Sequence, residues 1–185
     1  NQMYFASFTN KLNTPHLQLF LLDTKNKKTI KKTLRKPYKA TKKIKNAINY
    51  IIGPNGDVRA AITYSVDDDD KSMIYHYWFL NSANKSKWRE IHTIKKNKEP
   101  LFINALSSDE TFFYVISDEF SDKAGIHRYS TTDLSHKGLL FEDPHYEITG
   151  LIFDEVSQKL LGYNIFDDGI YKSKYFNVKY HKHSI

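Results

Sequence analysis

Hydrophobic and polar residues alternate along several short segments of the chain. In the segment DVRAAITYSV, the alternation places Val58, Ala60, Ile62, Tyr64 and Val66 on one face and the residues between them on the other. A period of two residues is typical of a half-buried β-strand. The segments LQLFLLDT, TFFYVIS and KLLGYNIF follow a similar pattern, so we predict that each of them is a strand.

The segment SMIYHYWFL differs because both of its faces are largely apolar. Along it, Ile74, His76 and Trp78 alternate with Tyr75, Tyr77 and Phe79. Such a segment is typical of an inner strand of a layered sheet. No segment has the pattern of a convincing amphipathic helix, since the one candidate, KKTLRKPYKATKKIK, is interrupted by Pro37. The sequence therefore predicts an all-β fold.

Short polar turns precede three of the predicted strands. GPNGD precedes Val58, SSDET precedes Phe112, and DEVSQK precedes Leu160. These junctions recur at roughly 50-residue intervals, and a second strand follows each at a similar offset, beginning near Ser72, Gly125 and Ile170. Four short strands per unit at this period are typical of β-propeller blades.

We therefore predict consecutive four-stranded antiparallel blades of an incomplete β-propeller, forming a single segment over residues 1–185. The predicted order is a partial blade at about 1–35, a basic connecting loop at about 25–46, full blades at about 47–95 and 100–142, and a partial blade at about 146–180. The face formed by Val58, Ala60 and Ile62 should enter one layer between blades, and the face formed by Phe112, Tyr114 and Ile116 another. A β-sandwich is the alternative, because it also has short strands and frequent turns, but the repeat favours the propeller.

The composition is that of a folded, strand-rich domain. Of the 185 residues, 40% are hydrophobic and 15% are aromatic, and there is no cysteine. Disulfides and thiolate chemistry are therefore excluded. No apolar run approaches the length that spans a bilayer, and the opening segment NQMYFASFTN lacks the features of a signal peptide. We therefore expect no membrane partner. We also expect that the chain is cut from a longer protein. The sequence does not indicate the cellular compartment.

The charge is unevenly distributed along the chain. The net charge is +7, but eleven of the 28 basic residues lie between Lys25 and Lys45, and no acidic residue lies between Asp23 and Asp57. A basic stretch can bind phosphates without sequence preference. Recognition of single-stranded nucleic acid normally adds aromatic side chains, and only Tyr38 interrupts this stretch. We predict a solvated loop between blades and do not expect a nucleic-acid partner.

The chain contains no complete catalytic or cofactor-binding motif. G-x-S-x-G, P-loop, HExxH and EF-hand patterns are all absent, and Gly53 and Gly56 resemble a phosphate loop only superficially. The carboxylates of Asp67–Asp70 could bind Ca²⁺, but the alternating ligand spacing of a true calcium loop is missing, which favours a solvated hairpin tip. We therefore assign no catalytic, cofactor-binding or metal-binding residue and expect no cofactor.

The eight histidines give no stronger signal. On a strand, His181 and His183 would share a face and could hold a metal, but no third ligand is near them in the sequence. His76 lies in an aromatic strand and is predicted to be a hydrogen-bonded core imidazole. No nucleophile pattern surrounds the others, which are His16, His92, His127, His136 and His145.

The stretch from Asp143 to Tyr175 resembles a recurrent blade of the prolyl oligopeptidase family of serine peptidases. An acidic-Pro step leads into the run of Ile148, Thr149 and Gly150, and after a hairpin a Leu-Leu-Gly-hydrophobic strand begins at Leu160. Upstream, from about His16 onward, similar segments are GPNGDVRAAITYSVD, YHYWF, KWREIHTIK and AGIHRYSTTDL.

This resemblance implies part of the N-terminal propeller domain of a two-domain peptidase. In that family the propeller covers an α/β-hydrolase domain with a Ser-Asp-His triad and restricts access to small peptides. No segment here matches the nucleophile elbow, so no triad residue is carried over and the chain itself is expected to be non-catalytic. The expected partner is the hydrolase domain of the same polypeptide, and a peptide substrate could contact the segment.

Two further expectations concern binding. The alternative function is a stand-alone propeller-like interaction module that binds an acidic protein or nucleic acid through Lys25–Lys45, a stretch that departs from the blades of the family. Because an incomplete propeller leaves its terminal blades uncovered, we also expect self-association through them.

Overall fold

The computed structural model describes residues 2–11, 14–23, 44–80, 87–95, 100–154 and 156–177. All regular secondary structure in these ranges is β-strand, and no helix among them is long and apolar enough to cross a membrane. The strands are β1 (Gln2–Lys11), β2 (Thr14–Asp23), β3 (Ala47–Ile52), β4 (Val58–Val66), β5 (Met73–Leu80), β6 (Trp88–Ile94), β7 (Ala105–Leu106), β8 (Phe112–Ser117), β9 (Gly125–Ser130), β10 (His136–Phe141), β11 (Ile148–Phe153), β12 (Leu160–Asp167) and β13 (Ile170–Tyr175).

Neighbouring strands in the sequence are neighbours in the sheets. β1 and β2 form a two-stranded antiparallel sheet, and two four-stranded sheets follow with the orders β3-β4-β5-β6 and β7-β8-β9-β10. The last sheet has three strands in the order β11-β12-β13. This succession of antiparallel meanders confirms the predicted fold class, all-β with consecutive blades of the kind that an incomplete propeller contains.

The strand boundaries follow the turn chemistry of the sequence. β4, β8 and β12 begin at Val58, Phe112 and Leu160, as the three polar turns predict. The β12–β13 hairpin is closed by Asp168 and Gly169, whose φ angles are 51° and 80°. Positive φ at both central residues defines the type I′ turn, whose twist matches that of a two-stranded hairpin. The result is a tight pairing of Asp167 with Ile170.

The backbone divides into two compact units. The first comprises Asn1–Tyr50 and Val58–Pro100, and the second comprises Ile51–Asp57 and Leu101–Ile185. In the first unit, β4 and β5 are the inner strands of their sheet and supply most of its buried apolar side chains. They include Val58, Ala60, Ile62, Tyr77 and Phe79, each at most 8% exposed.

The second unit has an apolar cluster formed by its two sheets. Tyr114 on β8 and Ile126 on β9 pack with Ile148 on β11 and with Tyr163 and Ile165 on β12. Phe112 and Ile116 pack against the same cluster, so the predicted layer formed by alternate residues of β8 is confirmed. Because alternate residues of a strand point to opposite faces, Phe113 and Val115 are buried on the other side of β8.

Candidate functional site

A buried carboxylate lies immediately before the last sheet. Asp143 is 1% exposed. Its Oδ1 accepts hydrogen bonds from the backbone N–H groups of His145 at 2.9 Å and Tyr146 at 3.1 Å. Its Oδ2 accepts bonds from the hydroxyl of Tyr163 at 2.7 Å and the ammonium of Lys174 at 2.8 Å. One side chain therefore ties the connection before β11 to both β12 and β13.

The electrostatics of this site favour the ionised carboxylate. Burial acts to raise the pKa of Asp143, but the hydrogen bonds from Lys174, the two backbone N–H groups and Tyr163 outweigh it and hold the pKa well below its usual range. Burial and the neighbouring carboxylate raise the pKa of the Tyr163 hydroxyl, so it remains a donor. The Lys174 ammonium also lies 4.6 Å from the centre of the Tyr146 ring, a cation–π contact. We interpret the site as a structural anchor.

A second polar network crosses the sheet of the first unit. Ser65 Oγ on β4 lies 2.8 Å from His76 Nε2 on β5, and His76 Nδ1 lies 2.6 Å from Glu90 Oε1 on β6. The hydroxyl of Thr93 donates to the same Glu90 oxygen at 2.6 Å. The order of hydroxyl, imidazole and carboxylate is that of the relay in serine hydrolases, which is recognised by geometry rather than by sequence position.

A β-bulge brings Glu90 into this network. In the pairing of β5 with β6, His76 lies opposite Thr93 and Tyr77 opposite His92, but Trp78 lies opposite Glu90, so Ile91 is the extra residue. Such an extra residue re-aims the side chains that follow it. Glu90 and Thr93, three positions apart, therefore share the face of His76, which strict alternation would forbid.

The protons of this network can be assigned from donor and acceptor chemistry. Partial burial acts to raise the pKa of Glu90, but hydrogen bonds from Thr93 and His76 lower it overall, and an ionised carboxylate only accepts hydrogen bonds. His76 Nδ1 must then carry the proton, and in the neutral imidazole Nε2 is left as an acceptor for the hydroxyl of Ser65. The side chains of His76 and Glu90 are 24% and 38% exposed, so solvent reaches the network.

A histidine pair lies in the second unit. His127 is fully buried, and its Nδ1 lies 3.0 Å from Nε2 of His136, while its Nε2 lies 3.1 Å from the carbonyl oxygen of Ser117. The ring of Phe120 stacks on His136 with centroids 4.1 Å apart. Burial, followed by the neighbouring His136, lowers the pKa of His127, so its neutral form donates to Ser117 and accepts from His136.

A partly apolar cavity of about 420 Å³ also lies in the second unit. It lies against β8, β10 and β12, and its wall combines apolar side chains with a lysine and two hydroxyl groups. The lining residues are Ser108, Tyr114, Leu140, Phe141, Lys159, Leu160 and Phe176. Its volume lies within the range of small-molecule and peptide side-chain sites.

Other predicted features of the turns can now be placed. Asp67–Asp70 form the β4–β5 turn, where the carboxylates of Asp67 and Asp70 accept backbone N–H bonds from Asp69 and Ser72. The predicted hairpin tip is confirmed, with Asp68, Asp69 and Asp70 exposed. Gly53 and Gly56 belong to the β3–β4 turn, in which the Gly56 N–H donates to the carbonyl of Gly53 at 2.9 Å. Among the residues that the structure describes, no group of three His, Asp or Glu side chains could hold a metal ion.

The histidine predictions have mixed outcomes. For His76, the prediction of a hydrogen-bonded imidazole is confirmed, but its placement in the core is wrong, since its side chain is 24% exposed. Sequence reasoning also missed the pairing of His127 with His136, which register across the β9–β10 hairpin brings together. His181 and His183 lie outside the described residues, as does the Lys25–Lys45 stretch apart from its last two positions.

No protein-family model matches the chain, and no curated protein matches its sequence. Among solved structures, TolB from Acinetobacter baumannii is similar at 16% sequence identity with a TM-score of 0.43. The similarity covers 91% of this chain and 39% of TolB, so the chain spans about two fifths of the length of that protein.

Proposed function

We propose that this chain is a non-catalytic β-propeller segment of a prolyl oligopeptidase-like serine peptidase. In this role it is a scaffold and access gate for a peptide-hydrolysing domain that lies elsewhere in the same polypeptide. The proposal is supported by the resemblance of the stretch from Asp143 to Tyr175 and by the consecutive antiparallel blades. An oxyanion hole and a nucleophile elbow, on which serine peptidases rely to hydrolyse unactivated peptide bonds, have no counterpart in the sequence motifs of the chain.

The observation that carries this proposal is the structural use of the residues on which the resemblance rests. The carboxylate of Asp143, from the acidic-Pro step, accepts four hydrogen bonds within the fold. Ile148 is 2% exposed in the apolar cluster. Gly162 faces the backbone of Lys174 so closely that a side chain would overlap it. A motif used in this way builds a blade rather than a reaction centre.

The proposed partners follow from the surfaces of the second unit. The cavity beside Tyr114 and Lys159 is large enough for a peptide side chain. β13 is the outer strand of its sheet, and among the described strands none pairs with its outer edge. Ile170 and Tyr171 on this strand are 60% and 73% exposed. An open edge with apolar side chains favours association, which we propose occurs between copies of the isolated chain.

The complete reading frame tests the peptidase assignment. We expect the polypeptide that it encodes to continue beyond Ile185 into a segment with a G-x-S-x-G motif and to hydrolyse a proline-containing chromogenic peptide. The chain of residues 1–185 alone should hydrolyse none, because it lacks the parts named above. A stop codon directly after Ile185, or turnover of the peptide by the purified chain alone, would contradict the proposal.

The alternative of an interaction module is supported by the charge of Lys25–Lys45, which holds eleven of the 28 basic residues. Binding through such a stretch is expected to be weak, salt-labile and indifferent to sequence. Titration of the chain with a labelled polyanion at low and physiological salt measures it. A dissociation constant below about one micromolar that persists at physiological salt would indicate specific binding and would favour the interaction module instead.

A further inference from the structure

The network that crosses the β3–β6 sheet has the order of hydrogen bonds needed to activate a hydroxyl group. Ser65 Oγ and His76 Nε2 are 2.8 Å apart, and His76 Nδ1 and Glu90 Oε1 are 2.6 Å apart. Both lie within the range of strong hydrogen bonds between a nucleophile, its base and the group that orients the base. Three different strands supply the three side chains, and the sheet fixes their separation.

We propose that Ser65 is an activated nucleophile that accepts an acyl or phosphonyl group from an activated small-molecule donor. His76 acts as its base, and Glu90 is a positioning residue that holds the imidazole in the tautomer with a free Nε2. The exposure of His76 and Glu90 allows a small reagent to approach the network. This site is independent of the peptidase assignment, because all three residues lie in this chain.

The reaction can be written for p-nitrophenyl acetate. Ser65 Oγ attacks the carbonyl carbon, and as the new C–O bond forms, the hydroxyl proton moves to His76 Nε2. The tetrahedral intermediate collapses when the bond to the aryl oxygen breaks and p-nitrophenolate leaves with the electron pair. The products are acetyl-Ser65 and p-nitrophenolate, and the imidazolium then releases its proton to water.

The same geometry limits the reaction to good leaving groups. β4 and β5 are inner strands of their sheet, where backbone N–H groups are used by the pairing of neighbouring strands. Stabilisation of a tetrahedral oxyanion needs donors that are free to point at it. Ser65 is therefore expected to take one acyl group from an activated ester and to leave ordinary peptides intact.

Labelling with a fluorophosphonate probe tests this site: Ser65 Oγ attacks phosphorus, the O–P bond forms as the P–F bond breaks, fluoride leaves with the electron pair, and the hydroxyl proton passes to His76 Nε2. The chain of residues 1–185 is incubated with the probe, and mass spectrometry of its peptides locates the adduct. We expect one adduct per chain, on Ser65, and none at that peptide in Ser65→Ala. His76→Gln should slow labelling roughly 100-fold, within the range that a positioned base contributes. An adduct only at other residues, or labelling of Ser65 that is unchanged in His76→Gln, overturns the proposal.

Ser173→Ala is the matched control. Ser173 is also a strand serine, but its hydroxyl donates to the amide oxygen of Asn164 at 2.9 Å, and no imidazole of the described residues is seen bonded to it. This variant should be labelled at Ser65 as fast as the unmodified sequence. Slower labelling at Ser65 in Ser173→Ala would mean that the rate reports the folded state of the chain rather than the network, and it would count against the proposal.

A measurement on the unmodified sequence does not depend on how the variants fold. Nitrogen-15 NMR of the imidazole distinguishes the tautomer with the proton on Nδ1 from the one with the proton on Nε2. We expect the Nδ1–H form for His76 at neutral pH, and in Glu90→Gln a mixture of the two forms with slower labelling of Ser65. A predominant Nε2–H form in the unmodified sequence overturns the proposal, because Ser65 would then accept a hydrogen bond from His76 instead of donating one to it.

Discussion

Asp143, in the connection before β11, and Glu90, on β6, both accept several hydrogen bonds, but they differ in their access to water. The Asp143 side chain is 2% exposed and the Glu90 side chain is 38% exposed. Asp143 is surrounded by donors that do not take part in proton transfer, which are two backbone N–H groups, a tyrosine and a lysine. Glu90 instead orients an imidazole whose other nitrogen faces a hydroxyl group.

This difference indicates that burial, rather than residue type, separates a carboxylate that stabilises the fold, such as Asp143, from one that orients a reactive side chain, such as Glu90. A buried carboxylate needs all of its acceptor capacity filled, because each unfilled position costs free energy. Once every acceptor position has a donor, the carboxylate is held in one orientation. A half-exposed carboxylate can leave part of its solvation to water, so its partner can remain reactive. Substitutions at these and neighbouring residues, with expected effects on stability that range from large to small, test this comparison.

The largest expected effect is that of Asp143→Ala. The substitution leaves the Tyr163 hydroxyl buried without its acceptor and removes the partner of Lys174. We expect it to lower the free energy of unfolding by about 3 kcal/mol, the low end for breaking a buried pair, because Lys174 is partly exposed. Urea denaturation followed by circular dichroism measures the change. Asp167→Ala, which removes the partly exposed partner of Lys172 in the same sheet, is the control and should lower the free energy of unfolding clearly less.

Gly162→Ala tests whether close approach of β12 and β13 keeps Lys174 within reach of Asp143. A Cβ at position 162 would overlap the backbone oxygen of Lys174 and lie 2.9 Å from Tyr175 Cα, so the strands would have to separate. We expect Gly162→Ala to lower the free energy of unfolding by about 2 kcal/mol, as is typical when a side chain is added to a site that is already filled. In Gly150→Ala the new Cβ meets the side chain of Asn164 at 3.1 Å, which can move aside. Equal denaturation midpoints for the two variants would refute this explanation.

The His127–His136 pair is intermediate between Asp143 and Glu90, because His127 is buried like Asp143 but can change its protonation state. Burial and His136 place the pKa of His127 in the folded state below its value of about 6.5 in the unfolded chain. Between the two values the unfolded chain binds more protons, so stability is fully present above pH 6.5 and is lost as the pH falls below it.

Denaturation midpoints at pH 7.5 and pH 5.5 check this expectation. His127→Gln should reduce the loss of stability at the lower pH, because the glutamine amide can donate a hydrogen bond to Ser117 and accept one from His136 without changing its protonation state. His145→Gln removes an exposed histidine and should leave the loss unchanged. If His127→Gln keeps the full pH dependence, another group is responsible for it.

The sequence predicts the strands better than it predicts the sites. Val58, Phe112 and Leu160 start strands because polar turns and alternation are local signals. The two side-chain partners of Asp143 lie 20 and 31 residues further along the chain, so they depend on the register of a sheet that alternation alone does not set.

The Ser65–His76–Glu90 network is harder still to predict. Regular alternation from Thr93 would place Glu90 on the opposite face of β6, and only the bulge opposite Tyr77 and Trp78 returns it to the face of His76. No residue in WREIHTI marks a bulge in the way that a glycine at positive φ does, so the relay becomes visible only in three dimensions.

The smallest expected effect on stability is that of Glu90→Gln. The substitution keeps the size of the side chain and one oxygen that can accept from His76 and Thr93, and it removes the charge. Because the Glu90 side chain is 38% exposed, water solvates much of what the charge loses, and pairs at such positions contribute less than about 1 kcal/mol. Urea denaturation of Glu90→Gln beside Glu147→Gln, a change at an exposed position before β11, measures the difference. A loss as large as that of Asp143→Ala would mean that Glu90 is also a structural anchor, and the distinction between the two carboxylates would fail.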